Sequence, residues 1–303
     1  MNKIDNAIKI FFLLSLLIIS SCGESVVDVG RNTYSPKIVI DAYLYPGQKA
    51  DRIKITRNIP VNTTVDPTAL LLPNAAVTLT DMQSGKTYNL TFNTDKFYFE
   101  DKSGGLIIGY DKDYLLNVSA VVEGKSLKAS SVTHTPRSGF RIIDEQSTSN
   151  SILYRDKEPD GAEKKITLTF NPSPGTSFYF FSIVSLDASD STFIYDNPYI
   201  EVKKDDLLKE MDLFKYRSIW LQNINSEGSS IKYFFEWINF WFYGNYRIIA
   251  YACDDNFRLF NQTYKMVQDF DGNFHEPRLN VSGEGIGVFG SLIADTLYIK
   301  VKR

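Results

Sequence analysis

The sequence predicts a mainly β chain arranged as two tandem β-sandwich domains, the first immunoglobulin- or transthyretin-like, the second with two short helices. Three observations predict this. Short runs of alternating apolar and polar residues recur at about 8–12-residue spacing between turn signals. Aromatic residues make up 14% of the 303-residue chain, with 18 Tyr and 21 Phe, side chains that suit a pleated, half-buried surface. No helical period of useful length occurs before residue 200.

Each element has its own reason. Residues 37–45 (KIVIDAYLY) are β-branched and aromatic and stop at the turn pair Pro46-Gly47. Residues 51–57 place Ile53 and Ile55 on one face, and 76–81 do the same with Val77 and Leu79. The alternation resumes at 86–92 after Ser84-Gly85. Strands are also expected at 96–100, 106–108, 114–122 and 127–133, the last two joined at Glu123-Gly124-Lys125. Between 137 and 162 the periodicity lapses among Pro, Gly, Ser and Asp, which marks a linker. It restarts at 165–171 (KITLTFN). The nearly all-apolar 177–186 reads as a strand covered on both faces. Helical spacing of Leu207, Leu208, Met211 and Phe214 predicts a helix over 205–214, and Phe257, Phe260, Tyr264 and Val267 predict another over 256–268. Residues 231–251 read as two antiparallel strands turning at Gly244-Asn245, and 295–301 as the final strand. The resulting division is 31–136 and 163–303, preceded by two short segments.

Those segments are a leader and a tether. Lys3 and Lys9 precede the apolar run 10–19, which is about half of the ~20 residues needed to cross a bilayer as a helix. Ser20-Ser21-Cys22 completes a bacterial lipobox, so 1–21 is expected to be removed as a signal peptide and Cys22 to carry the lipid. Multiple acyl chains anchor firmly. Residue 23 is Gly rather than Asp, which predicts outer-membrane sorting by the rule of enteric bacteria. Residues 22–36 are small and polar and form the tether.

Composition excludes several classes. Hydrophobic residues at 43%, with 18 Gly and 11 Pro, exclude a disordered or collagen-like chain. A net charge of −3 offers no basic field, so no nucleic-acid partner is expected. With Cys22 lipidated, Cys253 has no disulfide partner and reads as a small buried hydrophobe rather than a nucleophile. Two histidines, His134 and His275, and one remaining Cys are too few for a convincing zinc site. No GxSxG elbow occurs. No cofactor, metal or enzymatic activity is expected. The oxygen-rich 269–276 (DFDGNFHE) departs from the calcium-loop pattern and reads as a polar turn. Asp254-Asp255-Asn256 reads as a helix N-cap. Asp190-Ser191-Thr192 and Asp295-Thr296-Leu297 match a short O-glycosylation pattern known in the Bacteroidetes.

Two features carry functional expectation. The aromatic block 233–243, with Trp237, Trp241 and Tyr243, places aromatics at both strand parities. One face must be core; the other is core, a protein interface or a ligand platform. The run GEGIGVFG sets Gly283, Gly285, Gly287 and Gly290 around Phe289. It reads as a bulged, tightly packed strand, with a phosphate-cradling loop as the alternative.

That C-terminal run, following Glu276-Pro277 and Asn280-Val281, resembles the end of a Bacteroidetes lipoprotein family known as domain of unknown function 4249. Its pattern there is approximately Glu-Pro, Asn-Ile, Gly-Gly, Leu-Gly-Val-Phe-Gly. KIVIDAYLYPG, RIKITRNIPV, NAAVTLTD and TFNPSPGTSFYFF resemble further family strands in the same order. Departures are Asp41-Ala42 for Glu-Gly, Val281 for Ile, and Glu284 where a second Gly is common. The resemblance implies no established activity. Family members are often encoded beside TonB-dependent outer-membrane receptors, which implies a lipoprotein partner of an importer. Two other readings remain: a surface adhesin of the fimbrial type that polymerises by strand donation, and a glycan-binding protein or hydrolase built on the aromatic block.

Overall fold

The computed structural model describes residues 34–60, 63–199, 206, 209–222, 230–264 and 279–303. Cys22, the leader and tether expected up to residue 33, His275 and the polar turn expected at 269–276 lie outside the described residues.

The first seven strands are β1 (Ile38–Leu44), β2 (Ile53–Arg57), β3 (Ala76–Asp81), β4 (Thr87–Asn93), β5 (Tyr98–Glu100), β6 (Asp113–Val122) and β7 (Lys125–His134). Strict alternation buries Ile38, Ile40, Ala42 and Leu44 of β1 on one face. The β6–β7 hairpin turns at Glu123 and Gly124 with φ of 51° and 78°, the paired positive angles of a tight two-residue connection. The expected strand at 106–108 reduces to one bridge between Lys49 and Ile107.

The second half contains β8 (Arg141–Ile142), β9 (Asn150–Leu153), β10 (Ile166–Asn171), β11 (Tyr179–Ser185), the single helical turn α1 (Met211–Phe214), β12 (Tyr216–Leu221), β13 (Ile231–Phe235) and β14 (Gly244–Cys253). It ends with helix α2 (Asp255–Tyr264), β15 (Val281–Gly283) and the 18-residue β16 (Gly285–Lys302). Part of the helix expected over 205–214 lies outside the described residues. The chain is therefore mainly β.

Four expectations differ. The segment 137–162 is not a bare linker: β8 pairs with β10, and β9 pairs in parallel with the end of β16. The hairpin at Gly244-Asn245 does not form. β13 belongs to the sheet β13-β10-β8, whereas β14 lies between β11 and β16. Between them Trp237, Phe240, Trp241 and Phe242 cross from layer to layer and are buried. The last strand begins ten positions earlier than expected, because its glycines are part of the ladder. Finally, the partition into 31–136 and 163–303 does not separate the pairing. The first half of β16 runs parallel to β1, from Ile38↔Gly285 to Leu44↔Ser291, and its second half runs antiparallel to β14.

One large sheet results, in the order β12-β11-β14-β16-β1-β2-β5-β4-β3-β6-β7-β15. β15 is joined to β16 through Glu284 alone, so the part from β16 to β15 returns on itself. Its enclosed core contains Ile38, Leu79, Phe99, Leu116 and Phe289. The portion β12-β11-β14-β16 faces the sheet β13-β10-β8 across a second core of Phe170, Phe181, Phe235, Trp237 and Ile248, two sheets packed face to face. Residues Pro36–Arg303 form one compact unit.

Candidate functional site

The expected aromatic surface is core. Trp237 and Trp241 are 1% and 2% exposed. Their indole nitrogens donate to the carbonyls of Lys164 at 2.8 Å and Ile238 at 2.7 Å, which satisfies the polar edge of each ring inside the protein. Tyr243 is half-buried, with Tyr154 edge-on at 5.8 Å and the Arg303 guanidinium 5.2 Å above its ring. Trp237 and Trp241 are therefore not a ligand or partner surface. Both strand parities are apolar because the segment passes through the centre of a sandwich.

The glycine motif is a packing seam. Gly287 has φ of 113°, and a Cβ there would stand 2.0 Å from the Ile40 carbonyl oxygen. At Gly283 it would stand 2.5 Å from the Lys128 carbonyl oxygen, and at Gly285 2.5 Å from the Ala129 Cβ. At Gly290 it would meet Asp254 and the first turn of α2 at 3.2–3.3 Å. Phe289 between them is fully buried in the first core. Glu284 stands where a second Gly is common in the family pattern, and it is bonded from both sides. Its amide donates to the Lys128 carbonyl, and its carboxylate accepts from the Lys128 amide, both at 2.8 Å. Its carbonyl accepts from the Ile38 amide at 3.0 Å. The backbone here is committed to β1 and β7, as a bulged and tightly packed strand requires.

A cavity of about 320 Å³ opens beside this seam, lined in part by Val132, His134, Phe178, Cys253, Asp254 and Asn256. Asp254 caps α2: its Oδ1 accepts from the Phe257 amide at 2.9 Å, as the Asp254-Asp255-Asn256 reading expects. Its Oδ2 accepts from the Thr133 hydroxyl at 2.5 Å. Burial pushes this carboxyl up to about 6, against the lowering effect of the Thr133 bond. The side-chain amides of Asn256 and Asn280 both donate to the Val132 and Phe289 carbonyls. This junction ties β7, β14, β16 and α2 together. Cys253 is buried, and burial holds its thiol well above the usual range; that suits a packed hydrophobe better than a nucleophile. His134 sits at the exposed end of β7, its Nδ1 2.9 Å from Asp113 and its Nε2 3.2 Å from Asp111. Among the described residues no group of three or more His, Cys, Asp or Glu converges as a metal site.

The sequence reading missed the outer face of β12-β11-β14-β16. Register aligns three rows across it: Tyr216, Val184, Arg247 and Tyr298; Ser218, Ser182, Ile249 and Thr296; Trp220, Phe180, Tyr251 and Ala294. These positions alternate with core positions, so they point away from the sandwich interior. Tyr216 and Tyr298 are 65% and 61% exposed. Phe180 lies 4.2 Å from Trp220 and 5.5 Å from Tyr251, ring centre to ring centre. The available signal was the nearly all-apolar 177–186: its second face is covered in part by cross-strand aromatics. Finding it required β12, which has no strong alternation of its own.

The architecture is that of a mainly β module in which β16 joins both cores. The family model described as Domain of unknown function (DUF4249) matches residues 24–294, and the chain belongs to that family. No curated protein matches the sequence. Among solved structures, the tetra-tandem repeat in the extending region of a large adhesion protein is 12% identical at a TM-score of 0.22, covering 87% of this chain and 49% of that one. The FN1-FN3 domains of chicken CNTN1 are 10% identical at a TM-score of 0.15, covering 84% and 67%. The chain thus spans about half the length of the first of these.

Proposed function

We propose that the protein is a non-enzymatic outer-membrane lipoprotein, anchored through Cys22, that works as an accessory of a TonB-dependent transporter. The observation that carries the reading is the lipobox ending in Cys22 ahead of a chain that belongs to DUF4249 over residues 24–294. The acylated cysteine would hold the β module at the membrane through residues 23–36, within reach of a barrel in the same bilayer. Cross-linking in intact cells, followed by purification through a C-terminal tag, tests it. A TonB-dependent barrel recovered at near-equal amount is the expected result; gentle extraction that yields no barrel overturns it. Cys22→Ser is expected to move the protein from the membrane fraction to the soluble fraction.

A second reading, an adhesive structural subunit, draws on the edge strands. Beyond β12, and beyond β13 and β8 in the smaller sheet, no further strand pairs among the described residues, and such edges accept a donated strand. Rods formed by the unlipidated chain in solution would favour it. The glycan-platform reading loses its residues, since Trp237 and Trp241 are in the core.

A further inference from the structure

We propose that the outer face of β12-β11-β14-β16 is the surface on which this chain docks an acidic face of a partner protein. The inference rests on the accessory reading above and names the contact it would use.

Three observations carry it. The first is charge. The chain holds 36 Asp and Glu against 33 Lys and Arg, yet none of the three aligned rows contains a carboxylate. Arg247 stands in the outermost row, and Lys300 lies one row beyond it, opposite Asn245. The Arg247 Nε is buried with no hydrogen-bond partner among the described residues. A half-buried arginine on three rows that carry no carboxylate is complementary to a carboxylate, which a guanidinium binds through paired N–H donors.

The second is composition. Tyr216 and Tyr298 share the row of that arginine, and Trp220, Phe180 and Tyr251 stand two rows away, where they pack with Phe257 of α2. Aromatic residues and Arg are enriched at interface cores and at the few positions that dominate binding energy, where Asp, Glu and Lys are depleted. The third is form. Four paired strands present a pleated plane, whereas small-molecule sites are concave. β12 leaves one edge of that plane without a paired strand among the described residues, so main-chain donors and acceptors adjoin the aromatic rows.

The test uses the full-length, lipidated, tagged chain in cells. Arg247→Glu reverses the charge of the outermost row, and a Tyr216→Ala/Tyr298→Ala double variant removes the two exposed rings without touching either core. The amount of barrel cross-linked per tagged chain is read for each, alongside the melting transition. Both variants are expected to lose at least about tenfold of the recovered barrel, as truncation of interface anchors does. Asn117→Ala on β6 is expected to leave recovery unchanged. Should Arg247→Glu fail to fold, the tyrosine double variant decides. Wild-type recovery of the barrel with equal recovery by the tyrosine variant overturns this docking face and leaves the accessory reading standing. Failure of the wild type to recover any barrel overturns both. The unlipidated wild-type chain sedimenting with phosphatidylglycerol vesicles through these tyrosines, with barrel recovery unaffected, would assign the face to a membrane and overturn the proposal.

Discussion

At the scale of single residues, Gly287 and Asp254 make opposite demands. Gly287 combines φ of 113° with an Ile40 carbonyl 2.0 Å from where a Cβ would stand. Gly287→Ala must therefore move the β1 backbone, and a loss of about 3 kcal/mol or more is expected in urea unfolding. Gly124→Ala, where φ is 78° but nothing lies within 4 Å, is expected to cost about 1 kcal/mol by the same measurement. Asp254 is half-buried at the junction cavity, and its carboxyl is raised from 3.8 to about 6. A carboxyl whose folded value exceeds its unfolded value favours the folded state when protonated, so its cost to stability is full above about pH 6. That cost is relieved as pH falls towards 4. Asp254→Asn keeps an oxygen for the Phe257 amide and carries no charge. It is expected to be more stable than wild type at pH 7.5, by on the order of 1–3 kcal/mol. The gap should close between pH 6 and 4 in melting experiments.

Elements show where local pattern suffices. β1, β3, β6, β7 and β10 were legible because one of their faces is more buried than the other, which writes a period of two into the sequence, and β11 because its run is nearly all apolar. The N-cap of α2 was legible because Asp254 and the first-turn amide it bonds are three residues apart. The block at 231–251 was misread as a hairpin because apolar residues at both parities fit a doubly covered strand and a crossing segment equally well. Trp237 packs edge-on against Phe240 at 6.0 Å, and Trp241 lies 4.6 Å from Phe214. Trp237→Ala is therefore expected to lower stability by about 3–5 kcal/mol, visible as a lower midpoint of cooperative unfolding.

For the whole molecule, β16 is the decisive element. It is the parallel neighbour of β1, the antiparallel neighbour of β14 and the source of Phe289 in the first core. The Ser291 hydroxyl donates to the Leu44 carbonyl at 3.0 Å, across nearly the whole chain length. The fragment 31–136, which contains β1 to β7 and lacks β15 and β16, is expected to give no cooperative unfolding transition when expressed alone. A stable, cooperatively melting fragment would contradict this account of the fold. Long-range pairings of this kind cost loop closure before they return contact energy, and nothing local encodes them.

The division between sequence and tertiary structure follows from that range. The mainly β class, most strands, the cap of α2 and the family motif are set by residues within a few positions of one another, and the sequence by itself determined them. Tertiary structure alone decided what the motif is for. Gly283, Gly285 and Gly287 are glycines because Lys128, Ala129 and Ile40 stand against them, and those neighbours are far away in the chain. It also decided which aromatics face outward. Trp237 and Trp241 share a composition with Trp220, Tyr216 and Tyr298, but sheet pairing buries the first two and leaves the tyrosines open to solvent.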